Sequence, residues 1–370
     1  MRSKEYIKNN PYRVLGVATT DSPATMVSRA SRMKAFAAIG KTVTYPLDCD
    51  LVFGSKPERD AKLLALSLSA LTTPKDRLRH GMFWFMNLTA TDAKALALLS
   101  QTGNLMEARR IWEQGDQDMS AMQNQMVCCL LMDPRAYATA LQDAYDLYAD
   151  FGDELIATVC GGMQVVTPDQ LMPLFLSELV KASDKDSYFW DKAVTRCNDS
   201  SLDNLWAEAK ALPLIEKLQD ALNLAQTTER HTPHDQLDIA NRLMTQAEPL
   251  LKTLKALSDT HPKLLSRYAT IADSVGEEVL DREIAYYNRA VWPPNKRELV
   301  MPLMCFSYRY ACSARFKVRC QKNINIVLGR KEDARLFPNG KPDNLFTEYG
   351  RMKRNEGISA ILSALGNHIS

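Results

Sequence analysis

Helical periodicity runs through almost the whole chain, and strand patterns are nearly absent. Apolar residues recur three and four positions apart in successive segments, which is the spacing of one face of an α-helix. β-branched residues cluster only at positions 41–45, and one such run is too short for a sheet. The predicted fold class is therefore all-α, with a small helical head, short helical hairpins and a C-terminal section of long helices.

The composition bounds the size and the class of the protein. A chain of 370 residues is longer than one ordinary hydrophobic core, so two or three domains are expected. Its 46% apolar and 24% charged residues are typical of a globular protein rather than a disordered one. The net charge of +2 gives no overall field that would attract nucleic acid or a membrane, so such a partner would have to bind a local patch.

Targeting and redox signals favour a cytoplasmic protein. Residues 1–10 are polar and lack the apolar core of a signal peptide, and no apolar run reaches the ~18 residues that span a bilayer. The eight cysteines include no C-x-x-C pair, which is the spacing that zinc sites and redox sites use. We therefore expect reduced thiols, no metal site and a cytoplasmic location.

Three predicted helices define the head, residues 1–88. Asn10-Pro11-Tyr12-Arg13-Val14-Leu15-Gly16-Val17 predicts a short apolar helix with a glycine stop. A basic amphipathic helix follows at 22–39, and a third helix at 57–72 ends before Pro74. The buried stripe predicted for the second helix consists of Met26, Ala30, Met33, Ala37 and Ala38.

Residues 9–85 resemble the J domain of the DnaJ co-chaperone family. In that family a tyrosine-rich helix ending in Leu-Gly-Val precedes a basic second helix, and the third helix closes on Leu-x-x-Pro-x-x-Arg, which here reads Leu71-Thr72-Thr73-Pro74-Lys75-Asp76-Arg77. The activating His-Pro-Asp tripeptide between the second and third helices is absent. The corresponding connection, residues 40–50, contains a degenerate tripeptide loop formed by Tyr45, Pro46 and Asp48.

The resemblance implies a binding role without activation. In J domains the basic second helix faces an ATPase chaperone, which assigns that role here to Arg29, Arg32 and Lys34. Loss of the histidine implies that the protein docks such a chaperone weakly and does not stimulate its ATP hydrolysis. A charged, solvated helix face without any partner is the alternative interpretation of the same three residues.

The rest of the chain divides into three further predicted regions. Residues 89–200 read as short helical hairpins, with one of the breaks between helices at 151–153. The order Leu99, Gly103, Ala108, Trp112 resembles a tetratricopeptide hairpin, in which the glycine makes the turn. Residues 201–335 predict long helices, the last of them at about 298–327. The tail, 336–370, opens with a proline-rich and glycine-containing loop and carries a short apolar stripe that either docks on the body or offers a small helix to a partner.

No pattern in the sequence supports catalysis. Gly40-Lys41-Thr42 matches the end of a phosphate loop, but the full motif needs a glycine where Ala35 stands. Such a loop also enters a helix directly, which Pro46 prevents early downstream. No serine elbow, paired acids or metalloprotease helix is present. We expect a non-enzymatic protein without cofactors.

A basic stretch at 296–335 provides the alternative function. It holds ten basic residues against three acidic ones, with four aromatic residues between them. Cations beside aromatic rings could bind phosphates and stack bases, whereas a solvated face over inward-facing aromatics explains the same pattern. Protein partners are the leading expectation, nucleic acid is not expected, and the oligomeric state stays open. The candidate nucleic-acid patch consists of Arg309, Arg315, Lys317, Arg319 and Lys322.

Overall fold

The structure, a computed structural model, describes residues 3–183, 187–229, 232–289 and 296–329. Every regular element in these ranges is a helix and no strand occurs there, which confirms the all-α fold class. The chain divides into two compact units, Met1–Lys210 and Ala211–Ser370. The finer predicted boundaries at 88, 200 and 335 stay a prediction. The predicted tail, 336–370, and residues 330–335 of the basic stretch lie outside the described residues.

The first unit is a succession of short helices with one long, kinked member. Connections of only a few residues join most of them, and several 3₁₀ turns lie between them. The helices are α1 Ser3–Lys8, α2 Pro11–Leu15, α3 Pro23–Ala38, α4 Asp50–Phe53, α5 Ala61–Ser69, α6 Pro74–Gly81, α7 Ala90–Thr102, α8 Leu105–Glu113, α9 Met119–Leu131, α10 Tyr137–Cys160, α11 Leu171–Ala182 and α12 Ser187–Cys197.

The start of each head helix follows from local sequence. A proline occupies the first position of α2, α3 and α6, where its missing N–H is not needed. The residue before each proline caps the helix, because its side-chain oxygen accepts a hydrogen bond from a first-turn N–H. These caps are Asn10, Ser22 and Thr73.

Three head helices, α2, α3 and α5, pack against one another. Tyr12, Met33 and Leu64, one residue from each helix, are buried in the same hydrophobic core. The predicted apolar stripe of α3 is confirmed only up to Met33, because Ala37 and Ala38 are exposed. The third helix begins at Ala61, later than predicted, because the Asp60 carboxylate caps it through the Leu63 N–H.

Aromatic residues after α6 join the head helices to the rest of the first unit. The Phe83 ring stacks on Phe175 at a centroid distance of 5.1 Å, and the Phe85 ring stacks on Trp112 at 6.3 Å. The Trp84 indole N–H donates to the Val17 carbonyl at 3.0 Å. All of these rings are buried. These contacts dock the head helices onto the rest of the first unit.

Helices α7 to α10 pack in sequence, each against the next. The predicted turn between α7 and α8 lies at Gly103, whose φ of 67° belongs to the left-handed region that favours glycine. A break between two helices was predicted at 151–153, but α10 continues through these residues with a kink at Phe151. Gly152 permits this path, because a Cβ there would lie 2.8 Å from the Cβ of Pro168.

The second unit contains two long helices, α14 Pro233–Thr260 and α15 Leu265–Arg289, which pack along each other. Helix α16 Lys296–Tyr310 packs on both. A single helix was predicted at 298–327. The structure has two helices there instead, because the first ends at Tyr310 and Ser313 caps the second. The helices are the second part of α13 Ser200–Thr227, then α14 Pro233–Thr260, α15 Leu265–Arg289, α16 Lys296–Tyr310 and α17 Ala314–Leu328. Among the described residues, no helix is long and apolar enough to cross a membrane.

Candidate functional site

The candidate site is the connection between α3 and α5, together with the outer face of α3. Asp48 lies at its centre and is only 2% exposed. The Asp48 carboxylate accepts a hydrogen bond from the Tyr45 N–H at 2.9 Å and forms an ion pair with Arg59 through both of its oxygens. The predicted loop residues Tyr45 and Asp48 are therefore held to each other within one closed turn.

Arg59 connects this turn to α2 by hydrogen bonds. Its Nε donates to the Val14 carbonyl at 2.8 Å, and its Nη1 donates to the Val43 carbonyl and to the Asp48 carboxylate, each at 2.9 Å. Its Nη2 reaches the Arg13 carbonyl at 3.3 Å as well as Asp48. All three guanidinium nitrogens are thus engaged, so Arg59 is a structural residue rather than a free cation.

A second arginine, Arg13 of α2, is almost fully buried at 1% exposure. It donates to the carbonyls of Asp48 at 2.7 Å, Lys8 at 2.9 Å and Ser55 at 2.7 Å. Burial lowers the pKa of Arg13, while the neighbouring Cys49, Asp50 and Asp48 act in the opposite direction. Arg13 therefore binds backbone carbonyls of the loop and its surroundings. These hydrogen bonds compensate the cost of burying its charge.

Tyr45 is enclosed between two cations. The Arg29 guanidinium lies 4.2 Å from the Tyr45 ring centroid, and that of Arg59 lies 5.4 Å from it. The ring also packs against Gly16, where a Cβ would come within 2.6 Å of Tyr45 Cδ2. Since Arg29 also donates to the Gly16 carbonyl at 3.2 Å, it belongs to this cluster.

The three predicted partner-binding residues of α3 therefore differ in their surroundings. Arg29 is half-buried against Tyr45, whereas Arg32 and Lys34 are exposed. The Arg32 guanidinium lies 5.6 Å from the Phe36 ring of the same helix. Pro46 is exposed and opens the 3₁₀ turn that ends at Asp48. The free part of the predicted basic face is thus formed by Arg32 and Lys34.

The predicted nucleic-acid patch is only partly available. Arg309 is paired with Glu248 at 2.8 Å, and Arg319 is paired with Asp281. The interleaved aromatic residues of the described stretch, Phe306, Tyr308, Tyr310 and Phe316, are buried and therefore offer no surface on which a base could stack. Arg315, Lys317 and Lys322 are exposed, and no ion pair involving them occurs within the described residues.

Sequence reasoning did not identify Arg13 and Arg59 as site residues. Both act through backbone carbonyls far away in sequence, as the Arg59 to Val14 bond shows, and no local pattern marks such an interaction. The one available signal was Arg13, the only charged residue of the short helix α2. A long polar side chain at an apolar helix position must find hydrogen-bond acceptors when the helix packs.

A further ionic cluster lies in the first unit, between α8, α9 and α10. Arg109 pairs with Glu113 at 2.6 Å and with Asp143 at 3.2 Å, and it also contacts the Cys129 sulfur. Burial raises the pKa of Asp143 to about 6 and that of the Cys129 thiol to about 12. A thiol with so high a pKa is protonated near neutral pH and is a poor nucleophile.

The cysteines and the other potential metal ligands of the described residues form no further site. All eight cysteines are free thiols, and no group of three potential metal ligands occurs among the described residues. No model of a known protein family, no curated protein and no solved structure matches this chain.

Proposed function

We propose that this protein is a non-enzymatic, cytoplasmic interaction protein with a J-like head that docks an ATPase chaperone weakly and does not stimulate its ATP hydrolysis. One observation carries the proposal. Helices α2, α3 and α5 pack together, and the connection between α3 and α5 is clamped by Arg59 at the place where the resemblance to J domains would put the activating tripeptide.

The clamp favours a docking role without activation. An activating loop must present a histidine to its partner, but position 45 holds a tyrosine whose ring is enclosed by Arg29 and Arg59. Asp48 cannot replace the acidic residue of the tripeptide, because its carboxylate is buried and paired. Exposed Arg32 and Lys34 leave a small positive face on α3 that suits an acidic partner surface.

Single-turnover ATP hydrolysis by the ATPase chaperone that J domains act on tests the absence of activation. We expect the rate to be the same with and without this protein at saturating concentration. A stimulation of about tenfold or more, which corresponds to a barrier lowered by about 1.4 kcal/mol, would contradict the proposal.

Charge reversal on α3 tests the docking surface. Because the contact is expected to be electrostatic and exposed, binding of the chaperone should weaken about tenfold in Arg32→Glu/Lys34→Glu and should fall as salt rises. Lys94→Glu/Arg110→Glu is the matched control, since it reverses two charges at exposed positions of α7 and α8. Equal affinity of the α3 variant and the wild-type protein would exclude this face as the docking surface.

The helical hairpins from α7 onward complete the proposal as a protein-binding body. The tetratricopeptide-like order Leu99, Gly103, Ala108, Trp112 is supported by the burial of Leu99, Ala108 and Trp112 and by the packing of α7 on α8. Comparing the proteins captured by Arg32→Glu/Lys34→Glu with those captured by the wild-type chain separates partners of the α3 face from partners of this body and leaves their shared core intact.

A further inference from the structure

A cavity of about 140 Å³ lies beside the clamped loop, between the second half of α3 and the chain on either side of the 3₁₀ turn. Its walls combine apolar groups with three cations and one carboxylate. The cations are Lys41, Lys56 and Arg59, and the carboxylate is Asp48. The lining therefore has an excess of two positive charges over its single negative charge.

The polar groups that remain free in this lining are mainly hydrogen-bond donors. The Asp48 carboxylate is already neutralised by Arg59 and bound by the Tyr45 N–H. Lys41 and Lys56 are exposed and form no ion pair, and Thr42 and Thr44 form no hydrogen bond, within the described part of the chain. Asp50 lies 3.8 Å from Arg13 and also interacts electrostatically with Lys56, without a direct ion pair between the two.

The size of the cavity restricts the occupant to a small molecule. Pockets for drug-sized ligands begin at about 300 Å³, so the cavity can enclose a group the size of a phosphate, whereas a nucleotide would extend into the solvent. Met33 and Val43 provide an apolar wall, which suits a ligand with a short carbon body next to its charged group.

We propose that this cavity binds the phosphate group of a small phosphorylated compound. A phosphate monoester carries about −1.5 to −2 charges near neutral pH, which matches the excess of two positive charges in the lining. Its terminal oxygens accept hydrogen bonds from the ammonium groups of Lys41 and Lys56 and from the hydroxyls of Thr42 and Thr44. This mode differs from a phosphate loop, because side chains rather than the N–H groups of a helix start provide the donors. The site is independent of the proposed chaperone docking.

Calorimetric titration of the full chain with inorganic phosphate, at constant ionic strength, tests the proposal. We expect saturable binding with a dissociation constant on the order of 1 mM. Lys41→Gln/Lys56→Gln should weaken binding by roughly tenfold or more, because both direct charge contacts are lost. Lys41→Arg/Lys56→Arg, which keeps the charges, should retain binding within about threefold.

Two controls make the result decisive. Lys62→Gln/Lys94→Gln removes two exposed lysines of α5 and α7 that do not line the cavity, and it should leave phosphate binding unchanged. Propionate, a monoanion with a short apolar body, should bind much more weakly than phosphate. The proposal is wrong if phosphate does not bind saturably, if the control variant loses as much affinity as Lys41→Gln/Lys56→Gln, or if propionate binds as tightly.

Discussion

Asp48 determines whether the connection between α3 and α5 stays closed. Replacing it by asparagine keeps the shape of the side chain but leaves the Arg59 guanidinium without its counter-ion. Because breaking a buried ion pair from one side costs more than the pair contributes, we expect Asp48→Asn to reduce the free energy of unfolding by about 3 kcal/mol. Urea denaturation followed by circular dichroism measures this change.

A matched exposed pair provides the control for that prediction. Asp133 pairs with Arg135 at 2.7 Å, but both side chains are largely exposed. Solvent screens such a pair, so Asp133→Asn should leave the denaturation midpoint unchanged. If the two variants lose equal stability, the Asp48 pair is no more than a surface contact.

Alanine substitutions at Gly16 and Gly40 distinguish the cost of backbone strain from the cost of contact with the Tyr45 ring. Both have a φ in the left-handed region, 63° and 71°, but a Cβ at Gly40 would meet nothing within 4 Å. We expect Gly40→Ala to lower the free energy of unfolding by about 1 kcal/mol through strain alone. Gly16→Ala should cost about 2 kcal/mol or more, because its methyl group also meets the Tyr45 ring.

A double-mutant cycle checks the cause of the larger effect. If the Tyr45 ring is responsible, Gly16→Ala should cost about 1 kcal/mol less in a Tyr45→Ala background than in the wild-type protein. A residual cost remains, because the Cβ of residue 45 still lies 3.0 Å from the new methyl group. Thermal denaturation of the four proteins gives the coupling energy. Independent effects of Gly16→Ala and Tyr45→Ala would show that the two side chains do not meet.

At the level of single elements, what could be predicted depends on the range of the interaction. Helix starts at Pro11 and Pro23 follow from neighbouring residues, so the sequence was sufficient for them. Pro74 was interpreted only as the end of the third helix, whereas it also begins α6. The division between α16 and α17 depends on Asp273 of α15, whose carboxylate accepts the N–H groups of Cys312 at 2.6 Å and Ser313 at 3.0 Å. A partner about 40 positions away leaves no local pattern, which is why one continuous helix was predicted there.

The salt dependence of oligonucleotide binding by the exposed cations of α17 tests the nucleic-acid alternative. With the aromatic side chains buried, any binding of a single-stranded oligonucleotide should depend on charge alone. Three exposed cations then predict that the logarithm of the affinity falls with the logarithm of salt with a slope of about 2, whatever the base composition. Fluorescence anisotropy against salt measures this slope. A preference between poly-U and poly-A, or binding unchanged in Arg315→Gln/Lys317→Gln/Lys322→Gln, would contradict this picture.

For the molecule as a whole, the fold class could be predicted and the centre of the candidate site could not. Apolar spacing alone indicates helices, and the described residues contain only helices as regular elements. Tyr45, Pro46 and Asp48 could be placed in one loop, but the sequence did not reveal that Arg13 and Arg59 hold that loop closed. Clamping residues of this kind become visible only when distant carbonyls are brought together by packing.

The second unit contains a buried acid that links its stability to pH. Glu283 of α15 is fully buried, and neither carboxylate oxygen has a hydrogen-bond partner among the described residues. Burial raises its pKa well above 4.5, and Glu283 in turn contributes to the raised pKa of Cys305 and Cys320. The native state therefore holds a proton that the unfolded chain releases at lower pH.

This linkage predicts a loss of stability as the pH rises. Below about 4.5 the carboxyl group is protonated in both states and has no net effect, whereas above that value only the unfolded chain ionises freely, so unfolding becomes easier. Glu283→Gln, which is neutral at every pH, should therefore stabilise the protein at pH 8 and differ little from wild type at pH 4. Denaturation midpoints across this range measure the difference. Glu277→Gln, an exposed substitution on the same helix, should show no such pH dependence, and a stabilisation of Glu283→Gln that is equal at pH 4 and pH 8 would mean that ionisation of Glu283 is not the cause.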